Sequence, residues 1–416
     1  MIQQNPDRYP LQGGQISPPA EQPDACALKR FLACVGVCWA CCGVLAGGAA
    51  LPFRHVVVDA NGPSHPHCKT VGDVDGDGLT DLLAGGAENG GVVWYANPSW
   101  SKHRIDQGSF STDMQVGDVD RDGDLDVIIP KLGVGLVWYE NPRPAGNPAR
   151  DQWKMHVISA GASVSLQRDD FHHDVEVGDI NGDGKLDVVT RGGRTRIFLQ
   201  NNPDSWATVV IPTDGRGGLA LADLNADGLL DIVENGYWLE CPKDPGGGTW
   251  VRHEIASGWP DDVGVTVADI NGDGRPDVLL APAERPGRLA WFEAPAQLPS
   301  GRWIEHVIAS DVADIHTFKV ADMDGDKQLD VVTAEMEQSP QKRISIYFNE
   351  GRGEKWRQQV VGTTGSHNLR VARIGRGNTL SIVGSNHGNN GAPPVIDLWE
   401  NVSGEPAAKT GLSTRP

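Results

Sequence analysis

One nine-residue pattern, D-x-[D/N]-x-D-G-x-x-D, begins at Asp73, Asp118, Asp179, Asp223 and Asp269, and a sixth copy with one change begins at Asp322. Positions 1, 3, 5 and 9 offer carboxylate or amide oxygens, position 7 offers a backbone carbonyl, and glycine at position 6 permits the tight turn. Such a set makes the hard, all-oxygen cage that Ca2+ takes. The expected ligands are Asp73, Asp75, Asp77 and Asp81, then Asp118, Asp120, Asp122 and Asp126, then Asp179, Asn181, Asp183 and Asp187. The later loops supply Asp223, Asn225, Asp227 and Asp231, then Asp269, Asn271, Asp273 and Asp277, then Asp322, Asp324, Asp326 and Asp330. Five or six structural calcium sites are expected, because Lys327 replaces the turn glycine in the last loop. A single loop would say little. Six in register impose a repeat.

The starts lie 45, 61, 44, 46 and 53 residues apart, and a seventh frame, VARIGRGNTLSIVG, follows around Arg373 without its carboxylates. Each unit reads as four short strands. One enters the loop (Thr70-Val71, Val175–Val177), one leaves it (Asp81–Leu83, Asp187–Val189), and a third is aromatic (VVWYANP, LVWYENP, LAWFEAP, IDLWEN). The fourth carries a W-x-x-H-x-I frame at Trp100, Trp153, Trp250 and Trp303. These β-branched and aromatic runs, bounded by Gly, Pro and Asn, show no helical period. Four strands per unit of this length make a propeller blade. The expected fold is all-β, a seven-bladed β-propeller over residues 52–402. The seventh unit lacks a fourth strand of its own, and Phe53–Val58 matches the missing piece, so the N-terminal strand should close the ring in the last blade.

A net charge of −19 disfavours nucleic acid as a partner. Much of that charge sits at ligand positions of the loops, and six bound Ca2+ would reduce it to about −7. Five of the seven cysteines fall in the first 50 residues, so the body is not a disulfide scaffold. Residues 1–51 read as a leader: Lys29 and Arg30 precede an apolar run from Phe31 to Ala50, either a signal peptide cleaved near Ala50 or an N-terminal anchor. Both readings export the body to a secreted, periplasmic or cell-surface location. Residues 403–416 read as a polar tail.

The loops, the blade length and the aromatic third strand resemble FG-GAP/VCBS repeats, the blades of integrin alpha-subunit propellers and of many secreted bacterial proteins. The resemblance covers roughly residues 53 to 401, and it implies a fold more than a function. It implies that the loops lie on the bottom face and that ligands bind at the opposite mouth of the central channel. The third- and fourth-strand pattern also resembles, more weakly, the propeller domain of aldos-2-ulose dehydratase and the propeller-type polysaccharide lyases.

The repeat also serves as a ruler. Six residues before position 1 stand His67, His173, His316 and His367, whereas the other units have Thr112, Gly217 and Val263. Equivalent positions at the start of the inner strand ring the channel top, so histidines 300 residues apart in sequence could share one ion or one substrate. A second histidine series, His55, His103, His156, His253 and His306, recurs in the fourth strand and reads as rim packing. Loops between second and third strands add Arg191, as a holder of a substrate carboxylate, and His387, as an extension of the cluster. The insertion Ser159–Phe171 should wall one side of the mouth.

Two functions compete. One is a carbohydrate lyase or dehydratase with His67, His173, His316, His367, His387 and Arg191 as its catalytic set. Zn2+ or another divalent metal would sit on His67, His173, His316 and His367. Elimination from a sugar needs a base, a cation for the enolate and an acid for the leaving oxygen. The other is a non-catalytic adhesion or lectin-like module that binds carbohydrate or a cell-surface protein.

Overall fold

A computed structural model describes residues 49–161, 172–213, 215, 217–375, 379–387 and 393–403. The leader up to residue 48, the insertion from 162 to 171 and the tail from 404 lie outside the described residues.

The described chain forms seven four-stranded antiparallel sheets. Blade 1 runs outward from the axis through Cys68–Gly72, Asp81–Gly86, Gly91–Ala96 and Ser101–Asp106. The inner strands of blades 2 to 7 are Gln115–Gly117, Asp174–Gly178, Ala220–Ala222, Val263–Ala268, Phe318–Ala321 and Leu369–Ile374. Successive inner strands touch around the ring, and that of blade 7 meets that of blade 1. Closure follows the expected scheme. Phe53–Asp59 becomes the outer strand of blade 7, with Val56 opposite Leu398 and Phe53 opposite Asn401. The ring is thus locked by pairing the two ends of the body.

A single blade cannot bury both of its faces, so the core is divided among the interfaces between blades. Each of the seven interfaces has its own apolar cluster. Between blades 1 and 2, for example, Leu83, Trp94, Val127 and Tyr139 pack together. The third-strand tryptophans Trp94, Trp138, Trp238, Trp291 and Trp399 are all buried. Opposite each stands an outer-strand histidine: His103, His156, His253, His306 and His55. The rings stack or tilt at 4.1–5.3 Å between centroids. Four of these histidines also meet a carboxylate at 2.7–3.0 Å, as His253 Nε2 does Glu240. The rim series is packing.

The ninth aspartate of every loop has a structural task beyond the cation role expected of it. One oxygen accepts the backbone N–H of loop position 2, and the other accepts an N–H from the end of the third strand. Asp126 takes Val119 N–H and Asn141 N–H, both at 2.9 Å. Asp81, Asp187, Asp231, Asp277 and Asp330 repeat the arrangement at 2.8–3.0 Å. These staples tie each loop to its own blade. In the sixth loop Lys327 adopts φ 75° where the other loops have glycine, and its N–H still reaches Asp322 Oδ2 at 3.0 Å. The turn therefore forms without glycine, at a cost of about 1–2 kcal/mol.

Candidate metal centre at the channel mouth

At the lower face, three loops bring carboxylates together: Asp73, Asp75 and Asp81; Asp118, Asp120 and Asp122; and Asp322, Asp324 and Asp330, each set with its oxygens within 4.8 Å of one another. The remaining three loops carry asparagine at position 3, with Asn181, Asn225 and Asn271 Oδ1 accepting the N–H of Asp183, Asp227 and Asp273 at 3.0 Å. Burial pushes Asp126 up to about 8 and Asp81, Asp231 and Asp330 to about 7. Buried carboxylates without a counter-charge favour a cation, and each oxygen keeps a second lone pair after accepting an amide. The donor sets fit a hard divalent ion, so acidic clusters able to bind metal are built into the repeat.

The upper face is different in chemistry. His67 immediately precedes the inner strand of blade 1, His367 stands two residues before that of blade 7, and His387 follows the second strand of blade 7. Because that second strand runs antiparallel to its inner neighbour, with Leu369 opposite Gly384, its end returns His387 to His367. Blades 1 and 7 are neighbours in the closed ring, which brings in His67. One nitrogen from each of the three rings lies within 4.8 Å of the others. Ring centres are 4.2 Å apart for His67 and His387, 4.3 Å for His367 and His387, and 4.8 Å for His67 and His367. The seam where the ring closes is where the imidazoles converge.

Several features mark these imidazoles as unfinished. Both ring nitrogens of His367 and Nε2 of His387 are buried without a hydrogen-bond partner among the described residues. His387 Nδ1 lies 3.0 Å from Glu337 Oε1, a carboxylate that is itself almost enclosed. Burial works to raise Glu337, but the hydrogen bond and charge of His387 win and hold it below the usual carboxylate range. Burial, followed by the charge of His387, pushes His67 down to about 2, and burial with the neighbouring imidazoles holds His367 well below its ordinary value. Three imidazoles with nitrogens this close together, one of them backed by the carboxylate of Glu337, match the donor set of a borderline-soft divalent metal. Bonds of about 2.0–2.1 Å to zinc would put tetrahedral nitrogens roughly 3.3 Å apart, so small ring rotations close the set.

The cluster continues along the mouth. His316 has its ring centre 4.7 Å from that of His367, and His173 lies 5.3 Å from His316. His65 sits edge-on to His67 and His387 and meets Glu88 at 3.1 Å. His173 Nδ1 is 2.9 Å from Asp174 Oδ1; burial opposes charge on this imidazole, but Asp174 overrides it and raises the His173 pKa. His172, by contrast, is buried against Phe198 with Nδ1 on Thr190 Oγ1 at 2.8 Å, a packing role.

Four histidines expected to share one ion therefore divide. His67 and His367 lie with His387 in a group whose nitrogens are within 4.8 Å of one another, and His316 and His173 continue the cluster beside it. His387, at the seam between blades 7 and 1, supplies the third nitrogen of that group. Arg191 also requires correction. It is fully buried, donates to Gly218 O at 2.8 Å and faces Glu234 at 3.7 Å, so its guanidinium serves the interface of blades 3 and 4 and is not offered to a substrate carboxylate.

Below the histidines lies a charged cavity of about 40 Å3, lined in part by Asp113, Asp174, Glu176, His316, Lys319 and Arg370. Burial pushes Glu176 up to about 7 and lowers Lys319. Arg370 Nη2 pairs with Asp113 Oδ1 at 2.8 Å. Apart from His316, these residues were not singled out from the sequence, although the same ruler finds them. Asp113, Asp174 and Asn368 stand five residues before position 1, and Gln115, Glu176, Lys319 and Arg370 stand three before it.

The model of one family, described as FG-GAP-like repeat, matches residues 73–129, 179–234 and 269–333. Each span runs from a loop into the second strand of the next blade. No curated protein matches the chain. Among solved structures, a chain in the crystal structure of BBS1N in complex with ARL6DN, soaked with lead, is similar with a TM-score of 0.53 at 11% identity, over 84% of this chain and 96% of that chain. The mercury-soaked crystal of the same complex gives 0.53 at 11% identity, over 83% and 96%. At that identity the likeness concerns fold alone. FG-GAP-like repeats thus occupy those three stretches of a chain whose described residues form a seven-bladed β-propeller.

Proposed function

We propose that this propeller is an exported, metal-dependent lyase or dehydratase acting on carbohydrate, with calcium on its acidic loops and a transition metal, zinc by donor type, at the channel mouth. The observation that carries the reading is the convergence of His67, His367 and His387 nitrogens, with buried ring nitrogens left unpartnered and Glu337 behind His387. A calcium fastener explains the lower face but not a nitrogen-only donor set on the upper one.

Three protein ligands leave a position open, which is the habit of catalytic and not structural zinc sites. A divalent metal there supplies Lewis acidity toward a substrate carbonyl or carboxylate. The chain supplies the proton transfers. His173, kept charged by Asp174, gives a proton to the leaving oxygen, and a neutral imidazole of the same cluster takes the proton next to the carbonyl.

The test combines metal analysis of the purified protein with a panel of uronate polysaccharides and keto-sugars followed by ultraviolet absorbance. The expected outcome is one transition-metal equivalent besides calcium, and a conjugated unsaturated product that a zinc chelator abolishes. Calcium alone, with carbohydrate bound but unchanged, would favour the adhesion or lectin-like reading.

A further inference from the structure

His316 stands beside the three ligand imidazoles yet outside their set. Its Nδ1 is 3.0 Å from Asn368 Oδ1. The Asn368 amide has one workable orientation, because Nδ2 donates to His67 O at 2.7 Å and to Thr112 O at 3.1 Å, and the side chain is 1% exposed. Turned over, it would set an oxygen against two carbonyl oxygens. An amide oxygen only accepts, so Nδ1 is the protonated nitrogen, and in the neutral ring the lone pair is left at Nε2. The other tautomer has no acceptor there to meet its proton. No described residue hydrogen-bonds to Nε2, and His316 lines the axial cavity.

We infer that Asn368 is a positioning residue that fixes His316 in the Nδ1–H form, and that His316 Nε2 is the base of the elimination. The inference rests on the metal-dependent reading above. In the step, the C–H bond next to the carbonyl breaks toward Nε2 and its electron pair becomes the new double bond. The bond to the leaving oxygen breaks with its pair, and that oxygen takes the proton of His173. Transfer of the gained proton from His316 to His173, whose ring centres are 5.3 Å apart, resets the site without oxidant or reductant.

Long-range proton–nitrogen correlation spectra of histidine-15N protein, with His316→Asn for assignment, read the tautomer directly. Wild type should show His316 protonated at Nδ1, and Asn368→Leu, which removes the acceptor, should shift the proton to Nε2. An Nε2–H form in wild type overturns the positioning role. Zinc titration of the same proteins should give an unchanged channel stoichiometry in His316→Asn, and loss of that zinc would make His316 a ligand and overturn the base role. Zinc-loaded His316→Asn should convert the uronate or keto-sugar that wild type converts about 10²–10⁴-fold more slowly, and equal rates would also overturn it. Absence of channel zinc from wild type would instead sink the metal reading, and the tautomer spectra stand apart from that failure.

Discussion

Replacing His367 with alanine should abolish the proposed transition-metal binding at the channel mouth while leaving the ring folded. The effect follows from what His367 lacks. Truncating a well-packed buried side chain of this size costs about 2–5 kcal/mol. Both nitrogens of this ring, however, are buried without partners among the described residues, and leaving a buried polar group unsatisfied costs about 1–3 kcal/mol. In the metal-free protein the two contributions oppose each other, so the variant should melt close to the wild type. In the metal-loaded protein the change removes one of three ligands. The affinity loss should then exceed the roughly 10–100-fold typical of removing an outer partner of a ligand, which is the loss expected for Glu337→Gln. Zinc titration and calorimetry of the two variants check both halves. A His367→Ala protein that keeps its metal and loses core-like stability would make this histidine ordinary packing.

Removing calcium should weaken the whole ring. Each carboxylate triad holds its oxygens within 4.8 Å of one another, and the charges of Arg143 near Asp75 and Arg357 near Asp324 offset only part of the burial and repulsion that raise those carboxyls. An ion at 100 times its Kd stabilises a folded protein by about 2.7 kcal/mol per site, so three such sites lower Tm by about 10 °C when a chelator empties them. Substitutions within one loop separate the cation from the staple. Asp120→Ala should destabilise only when calcium is present, because Asp120 belongs to the triad and makes no connection to the third strand. Asp126→Ala should destabilise with or without calcium, by about 2–6 kcal/mol, because the amides of Val119 and Asn141 both lose their acceptor. Thermal melts of the two variants with calcium and with chelator decide it. Equal sensitivity of both variants to calcium would mean that position 9 is a ligand and nothing more.

The architecture was legible because a nine-residue loop with a fixed offset to its strands repeats as the blades do. The blade number, the third-strand tryptophans facing rim histidines and closure by Phe53–Asp59 all follow from that frame. The channel mouth was legible only in part. An offset of six residues found His67, His316, His367 and His173, because equivalent positions point to the same axis. It could not say which of them approach one another, since that depends on the seam between blades 7 and 1 and on His387, which belongs to no repeat position. Arg191 misled for a related reason. Glu234, which takes it up, lies in the next blade, and nothing in the local sequence signals that the two meet. The residues under the histidines carry no motif of their own: Asp174 and Glu176 are polar residues of one inner strand and Lys319 of another, and only the closed ring gathers them at one cavity.

The account turns on a nitrogen-ligated metal where the ring closes. Anomalous scattering from crystals of the protein, collected on both sides of the zinc absorption edge, tests it most directly. The account predicts a peak among His67, His367 and His387, about 2.0–2.1 Å from one nitrogen of each ring, that disappears below the edge. Peaks confined to the aspartate loops, with the three imidazoles apart or bridged by water, would contradict it.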